Sequence, residues 1–141
     1  SYKEDIEQAA AASDKQTFYR HLRAACESGW DFSSRWLADS NDLTSIQTCD
    51  IIPIDLNSLL FRQESLLAQF CKVLNDKQWT YYETLATKRK EAINKYLWSQ
   101  EHEFYMDFNV ATNSSSPIIT ATSASLLSAR FNCFLKFPPP A

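Results

Sequence analysis

The amino-acid sequence predicts an all-α fold, and three observations favour it. Apolar residues recur every three or four positions through most of the first hundred residues, as they do on one face of a helix. The 141 residues include a single glycine, whereas tight β-hairpins usually require glycine in their turns. Short polar segments separate the candidate helices, so that successive helices are expected to pack as antiparallel neighbours.

The first clear helix is predicted to begin after Ser13. Ser13 and Gln16 form a Ser-x-x-Gln capping box, whose side chains can bond the free amides at a helix N-terminus. Apolar residues then follow at helical spacing, namely Phe18, Leu22, Ala25 and Cys26. Gly29 is expected to end the helix, because that position favours a left-handed backbone.

Two longer helices are predicted after a short buried connection around Pro53. Asp55 is expected to open the first of them. Its apolar side comprises Leu56, Leu59, Leu60, Leu67, Phe70, Val73 and Leu74. The side chains expected to face away from it are Arg62, Gln63, Glu64 and Lys72. Asp76 can cap the second helix, which continues to about Gln100.

The end of the chain has a different pattern. Apolar residues alternate at Phe104, Met106, Phe108 and Val110. This alternation indicates a short extended segment or an exit from a helix into a loop. Residues 111–128 show no helical stripe, and three consecutive prolines near the C-terminus cannot lie inside a helix. We therefore divide the chain into a helical segment, residues 1–110, and a tail, residues 111–141, which is either weakly ordered or a segment whose packing partners are missing.

The composition argues against several classes of site. A single glycine excludes glycine-rich phosphate loops, and a net charge of −3 provides no broad basic surface for nucleic acid. The four cysteines form no C-x-x-C pair, and free thiols are favoured over disulfides. His21 and His102 are isolated, so no metal site is expected. No run of 18 apolar residues is present that would span a bilayer.

Residues 27–36, Glu-Ser-Gly-Trp-Asp-Phe-Ser-Ser-Arg-Trp, combine residue types suited to chemistry. One interpretation is a structural corner, in which Gly29 ends one helix and Asp31 caps the next. Trp30 and Trp36 would then be buried. The other is a carbohydrate subsite, in which aromatic faces cover the sugar and a carboxyl group meets the glycosidic oxygen. The preceding helix C-terminus and both indoles would raise the pKa of Asp31, as a general acid requires.

The same run closely resembles the trehalase family of glycoside hydrolases, whose members carry these ten residues. Other stretches resemble the family in the same order. Ser1–Asp5 resembles the stretch after the family's Arg-Pro-Glu triplet. Ile51–Asn57 resembles the family's Ile-Ile-Pro-Val-Asp-Leu-Asn motif, and Arg89–Phe108 resembles one of the family's helices and the exit from that helix. This resemblance covers residues 1–110.

The resemblance implies part of an (α/α)₆ toroid that hydrolyses α,α-trehalose to two glucose molecules with inversion, without a metal or an organic cofactor. Asp31 matches the family's general acid, and Gly29 matches the glycine that contacts sugar through its backbone. Trp30 and Arg35 match the motif as well, and we assign them only shaping and supporting roles. Arg35 is equally able to pair with a buried carboxylate.

Some parts of the family's pattern have no counterpart here. An inverting glycosidase needs a second carboxylate about 6.5–9.5 Å from the acid, and the family's motif for this base is not found. The Arg-Pro-Glu triplet and the Gln-Trp-Asp-Tyr-Pro motif are also missing. The acids Asp50, Asp55 and Asp107 are better interpreted as helix caps or structural groups.

We therefore expect a fragment of a trehalase that is inactive by itself. The alternative is a truncated trehalase-like helical protein that binds a sugar or a partner without hydrolysis. The resemblance leaves the compartment open, because animal relatives are often secreted or membrane-attached and others are cytosolic.

Overall fold

The computed structural model of the chain describes residues 2–31 and 33–118. These residues form four α-helices, three 3₁₀-helices, one π-helical turn and five strands of two residues each. They fall into two compact units, which divide between Ile51 and Ile52. The described chain is therefore mostly helical, as predicted, but its short strands depart from an all-α fold. Most of the predicted tail, residues 119–141, lies outside the described residues.

The first unit is built from two α-helices and three single 3₁₀ turns. The α-helices are α1 (Tyr2–Ala11) and α2 (Lys15–Ser28), and the 3₁₀-helices are Ser34–Trp36, Leu43–Ser45 and Thr48–Asp50. Strand β1 (Ile51–Ile52) follows them. The core of this unit contains Ala9, Phe18, Leu22, Ala25, Trp36, Ile46 and Ile51. The apolar face predicted for α2 is confirmed at three positions, whereas Cys26 is exposed.

Helix α2 is capped by Asp14, not by Ser13 as the capping box predicts. The Asp14 carboxylate accepts hydrogen bonds from the backbone amides of Gln16 and Thr17, at 3.0 and 3.2 Å. It also accepts one from the Thr17 hydroxyl at 2.6 Å. A carboxylate is favoured here because the amides it bonds also carry the positive end of the helix dipole.

The second unit begins with a helical pair and continues into two small hairpins. Its helices are α3 (Ile54–Val73), α4 (Trp79–Ala92) and the π-helical turn Ile93–Leu97. Its later strands are β2 (Trp98–Ser99), β3 (Phe104–Tyr105), β4 (Phe108–Asn109) and β5 (Ser114–Ser115). Strand β2 pairs antiparallel with β3, and β4 with β5. The short extended segment expected near residues 104–110 is thus confirmed.

The two hairpins form without glycine, contrary to the argument from composition. Glu103 and Asn113 each occupy the left-handed region of the backbone map, with φ of 50° and 53°. Each lies in the turn of its hairpin, just before the second strand. Asparagine tolerates this conformation better than most residues. The left-handed backbone conformation that glycine usually supplies in such turns is therefore adopted here by Glu103 and Asn113.

Helices α3 and α4 are the antiparallel neighbours that the short connection predicts. Asn75 takes a left-handed conformation with φ of 55°, and the Asp76 carboxylate accepts the Gln78 amide at 2.9 Å. Helix α3 begins one residue earlier than expected, because Asp107 caps it. The Asp107 carboxylate accepts the backbone amide of Ile54 at 2.9 Å.

The buried face of α3 differs from the predicted one. Its buried residues are Ile54, Ser58, Phe61, Glu64 and Ala68. The large apolar residues that remain exposed are Leu56, Leu59, Leu66, Phe70, Val73 and Leu74, which we call the α3 apolar stripe. Glu64, expected to face away, is buried because α4 supplies Arg89 as its partner. Among the described residues, no helix combines the length and apolar character required to cross a membrane.

Candidate active site

Gly29 ends α2 in the conformation that the sequence predicts. Its φ is 76° and its ψ is 5°, and its amide donates to the Cys26 carbonyl at 3.4 Å. A Cβ atom added at this position would meet no atom within 4 Å. The requirement for glycine is therefore set by backbone conformation and not by crowding. The space next to the Gly29 backbone is open.

Hydrogen bonds around Trp30 fix the turn that follows Gly29. The Ser28 hydroxyl donates to the Ala25 carbonyl at 2.6 Å and accepts the Trp30 amide at 3.1 Å. The Trp30 carbonyl accepts two hydrogen bonds, from the Ser33 amide at 3.0 Å and from the Trp36 indole nitrogen at 2.9 Å. Asp31 lies within this turn, directly after Trp30, so its position is set by anchors on both sides.

The structural-corner interpretation is wrong in its assignment of Asp31. Ser33 caps the 3₁₀-helix Ser34–Trp36, and its hydroxyl accepts the Arg35 amide at 3.3 Å. Asp31 is exposed, and no helix of the unit uses it as a cap. The cap is displaced to Ser33 because the turn closes between Trp30 and Ser33 before the 3₁₀-helix begins.

The two tryptophans differ in exposure. Trp36 is 2% exposed and belongs to the core, as the corner interpretation predicts, so its ring is not a surface that covers a sugar. Trp30 is 44% exposed, so it is not the buried residue that the corner interpretation expects. Trp30 thus presents an exposed aromatic surface, and the next residue along the chain, Asp31, is exposed as well.

Arg35 connects the two indoles from within the unit. Its side chain is buried, at 1% exposure. Its guanidinium carbon lies 4.7 Å from the centroid of the Trp36 ring and 6.0 Å from that of Trp30. A planar guanidinium stacks on aromatic faces in this way and is attracted to them electrostatically. The contact helps to hold the exposed Trp30 ring in place.

The other acids of the resembling segments have structural roles, as predicted. Asp107 is buried and caps α3. Asp55 accepts the Leu56 amide in the first turn of the same helix, at 2.9 Å. Asp50 lies beside His21, with 4.0 Å between its carboxylate and the Nε2 atom of the ring.

The partly buried ion pair between α3 and α4 is not among the predictions made from the sequence. Arg89 donates from Nε and Nη2 to the Glu64 carboxylate at 2.7–3.0 Å, and from Nη1 to the Asn57 side chain at 3.0 Å. These bonds raise the pKa of Arg89, so its charge is permanent. A signal was present in the sequence, since Asn57 and Glu64 are seven residues apart on one helical face.

The described residues offer no metal centre. In residues 2–31 and 33–118, no group of three or more His, Cys, Asp or Glu side chains is placed to hold a metal ion. The cysteines in these ranges, Cys26, Cys49 and Cys71, are free thiols, in agreement with the prediction. Cys133 lies outside the described residues.

Comparison with known proteins extends the resemblance. A model of the trehalase family matches residues 1–132, beyond residue 110, where the quoted motifs end. The chain is 39% identical over 126 residues to periplasmic trehalases of Escherichia coli O1:K1 / APEC and of E. coli strain UTI89 / UPEC. A putative periplasmic trehalase of E. coli O157:H7 is equally similar.

These alignments cover 87% of the chain but only 22% of each relative. The chain thus spans about a fifth of the length of the curated relatives it matches. Because the family model matches most of the 141 residues, the chain belongs to the trehalase family.

Proposed function

We propose that this chain is a segment of a glycoside hydrolase that cleaves α,α-trehalose into two glucose molecules with inversion, and that Asp31 is the general acid. One observation carries the proposal. In a member of the trehalase family, Asp31 is exposed in a hydrogen-bonded turn and caps no helix. An exposed carboxyl group that caps no helix of its unit, next in sequence to an exposed tryptophan, is suited to act on a sugar.

The chemistry assigned to Asp31 is proton donation to the leaving group. As the bond between the anomeric carbon and the glycosidic oxygen breaks, the Asp31 proton moves to that oxygen, which leaves as a glucose hydroxyl. A water molecule attacks the anomeric carbon from the opposite face, and a second carboxylate takes its proton. This attack inverts the configuration. The step needs no metal or organic cofactor, and we assign none.

Gly29 is the proposed sugar-binding residue. Its backbone is open on the side where a Cβ atom would lie, and its left-handed conformation turns the chain from α2 toward Asp31. A ligand can therefore approach the main chain at Gly29 more closely than at a residue with a side chain. Trp30 is proposed to cover part of the sugar, since 44% of its surface is exposed.

We also propose that α3 and α4 form one helical pair of an (α/α)₆ toroid. Their antiparallel packing and the ion pair between Arg89 and Glu64 support this assignment. The α3 apolar stripe is the face that further helices of the toroid would cover, because large apolar surfaces are rarely left open to water.

The proposal is tested in a chimera in which residues 1–132 replace the matching segment of a periplasmic trehalase. In this chimera, Asp31→Asn should lower kcat for trehalose by about 10²–10⁴-fold, with KM little changed. Asp39→Asn is the control, because Asp39 is also an exposed acid of this unit and asparagine can still accept the Asn41 amide that its carboxylate accepts at 2.9 Å. It should keep the activity of the chimera.

Two results would contradict the proposal. Near-normal turnover by Asp31→Asn would end the general-acid assignment. A folded chimera that binds trehalose without releasing glucose would favour the alternative, a trehalase-like protein that binds without hydrolysis.

A further inference from the structure

His21 is a buried histidine that connects α2 to the 3₁₀-helix Thr48–Asp50. The ring is 5% exposed, and its Nδ1 atom accepts a hydrogen bond from the backbone amide of Cys49 at 3.0 Å. The Cys49 thiol also contacts the carbonyl of Arg20, at 3.8 Å. An amide can only donate, so Nδ1 must be the nitrogen that carries no proton. The hydrogen bond therefore requires a neutral ring.

Protonation of the ring is incompatible with this contact. A proton added to Nδ1 would face the Cys49 amide, so two donors would oppose each other and the hydrogen bond would be lost. The 3₁₀-helix has little to replace it. Within the part of the chain that the structure describes, the buried Thr48 hydroxyl has no hydrogen-bond partner. Loss of the His21 contact would leave a second polar group of this helix without a partner.

The charged groups around His21 do not compensate for its burial. Asp50 favours a charged ring, but its carboxylate is 4.0 Å away and its side chain is 37% exposed. Arg20, the preceding residue of α2, opposes a second positive charge. Asp14, which lines the same cleft of about 360 Å³, is already engaged by the first turn of α2. Burial, with a smaller contribution from Arg20, lowers the pKa of His21 despite Asp50.

The 3₁₀-helix is also linked to the candidate site. Gln47, which precedes it, donates its amide to the Trp36 carbonyl at 2.8 Å. The Trp36 indole in turn holds the Trp30 carbonyl. Two hydrogen bonds thus connect the residue before the Thr48–Asp50 helix to the turn that contains Asp31.

We propose that His21 makes the attachment of the Thr48–Asp50 helix to α2 sensitive to acid. The neutral ring holds the two helices together through its hydrogen bond to Cys49, and protonation of the ring breaks this bond and releases the Thr48–Asp50 helix. Loss of this hydrogen bond would loosen the unit that carries Gly29 and Asp31 as the solution becomes acidic. The proposal does not depend on whether Asp31 is a general acid.

The first test is an NMR titration of the 141-residue chain between pH 8 and pH 4.5. The ring signals of His21 should titrate below the ordinary histidine value of about 6.5. The Cys49 amide signal should shift with the same midpoint as His21. A His21 midpoint at or above about 6.5, or a Cys49 amide that does not follow it, would overturn the proposal.

The second test measures thermal unfolding against pH. Because the pKa of His21 is lower in the folded chain than its ordinary value of about 6.5, the unfolded chain binds more protons below that pH. Stability should thus be complete above pH about 6.5 and decrease below it, with the unfolding constant rising by up to about tenfold per pH unit. The loss stops once the folded ring itself is protonated.

His21→Asn should remove this pH dependence, because its amide oxygen can accept the Cys49 amide but cannot be protonated in this range. His102→Asn should retain it. If Tm declines equally with falling pH in His21→Asn and in the unmodified chain, the proposed role of His21 is contradicted. If His21→Asn does not fold, the titration of the unmodified chain still decides the matter.

Discussion

Replacing Glu64 by glutamine removes the negative charge from the ion pair that joins α3 to α4. The Glu64 side chain is 11% exposed and that of Arg89 is 28% exposed, and their closest contact is 2.7 Å. Removing one partner of a buried ion pair costs about 3–5 kcal/mol, because the other charge is left buried without compensation. Arg89 retains partial exposure and its bond to Asn57. We therefore expect a loss near the lower end, about 3 kcal/mol.

The same two helices provide a matched control. Lys72 and Glu83 are also 2.7 Å apart, but their side chains are 48% and 52% exposed. An ion pair of this kind contributes at most about 1 kcal/mol, so Glu83→Gln should be nearly neutral. Urea unfolding of the 141-residue chain, followed by far-ultraviolet circular dichroism, gives the free energy of unfolding for both variants. Equal losses for Glu64→Gln and Glu83→Gln would refute the reasoning.

A double variant separates burial from pairing. Glu64→Leu combined with Arg89→Met replaces both charges with apolar side chains, which often restores stability where a single replacement does not. The double variant should lose less free energy of unfolding than the sum of the two single losses. Additive losses would show that the charges act independently, contrary to their bidentate contact.

Three further predictions concern the first unit and the expectation that this chain lacks the general base. Gly29→Ala should lower the free energy of unfolding by about 1–2 kcal/mol, because alanine is strained at φ of 76°; an unchanged urea midpoint would contradict this. Asp14→Ala should lower Tm at pH 7 whereas Ser13→Ala should not. Since hydrogen bonds from Thr17 lower the pKa of Asp14, its contribution should be present above pH about 3.8 and be lost as the pH falls through the lower folded value; equal Tm values for both variants at pH 7 would restore Ser13 as the cap. The 141-residue chain alone should release no glucose from trehalose above a buffer control, and release abolished by Asp31→Asn would show that the chain contains its own base.

Local signals in the sequence predicted several features correctly. Gly29 was identified as the end of α2 because the single glycine follows a helical apolar pattern. A turn at Asp76 is predicted correctly because Asp favours turns, but Asp76 does not cap α4, whose N-cap is Gln78. Asp107 was assigned a structural role, and it caps α3 from 53 positions away along the chain. Its partner could not be predicted, since no local pattern indicates which distant amide a carboxylate will accept.

The side of α3 that becomes buried could not be predicted from periodicity. Its apolar residues lie on more than one side of the helix, and α4 packs against the row that includes Phe61 and Ala68. That row also contains Glu64, which a hydrophobicity pattern places in solvent. Its burial depends on Arg89, 25 residues later. The ion pair with Arg89 thus favours burial of the α3 face that contains Glu64, which the hydrophobic periodicity of α3 alone does not predict.

The local geometry of the Glu27–Trp36 run is predicted only in part. Gly29 ends α2, as the sequence predicts, and Asp31 lies in the turn that follows it. The cap was placed at Asp31 because aspartate is a strong N-cap, whereas Ser33 takes that role two residues later. Both residue types are good caps, so only the closure of the turn between Trp30 and Ser33 distinguishes them.

The most direct test of the general-acid assignment compares two substrates in the Asp31→Asn chimera. The leaving group of trehalose is glucose, which is a poor leaving group as an alkoxide and needs protonation. The leaving group of glucosyl fluoride is fluoride, which needs none. The ratio of kcat on glucosyl fluoride to kcat on trehalose should therefore rise by about 10²–10⁴-fold over that of the unmodified chimera. An unchanged ratio, with both substrates slowed equally or neither slowed, would contradict the assignment of Asp31 as the proton donor.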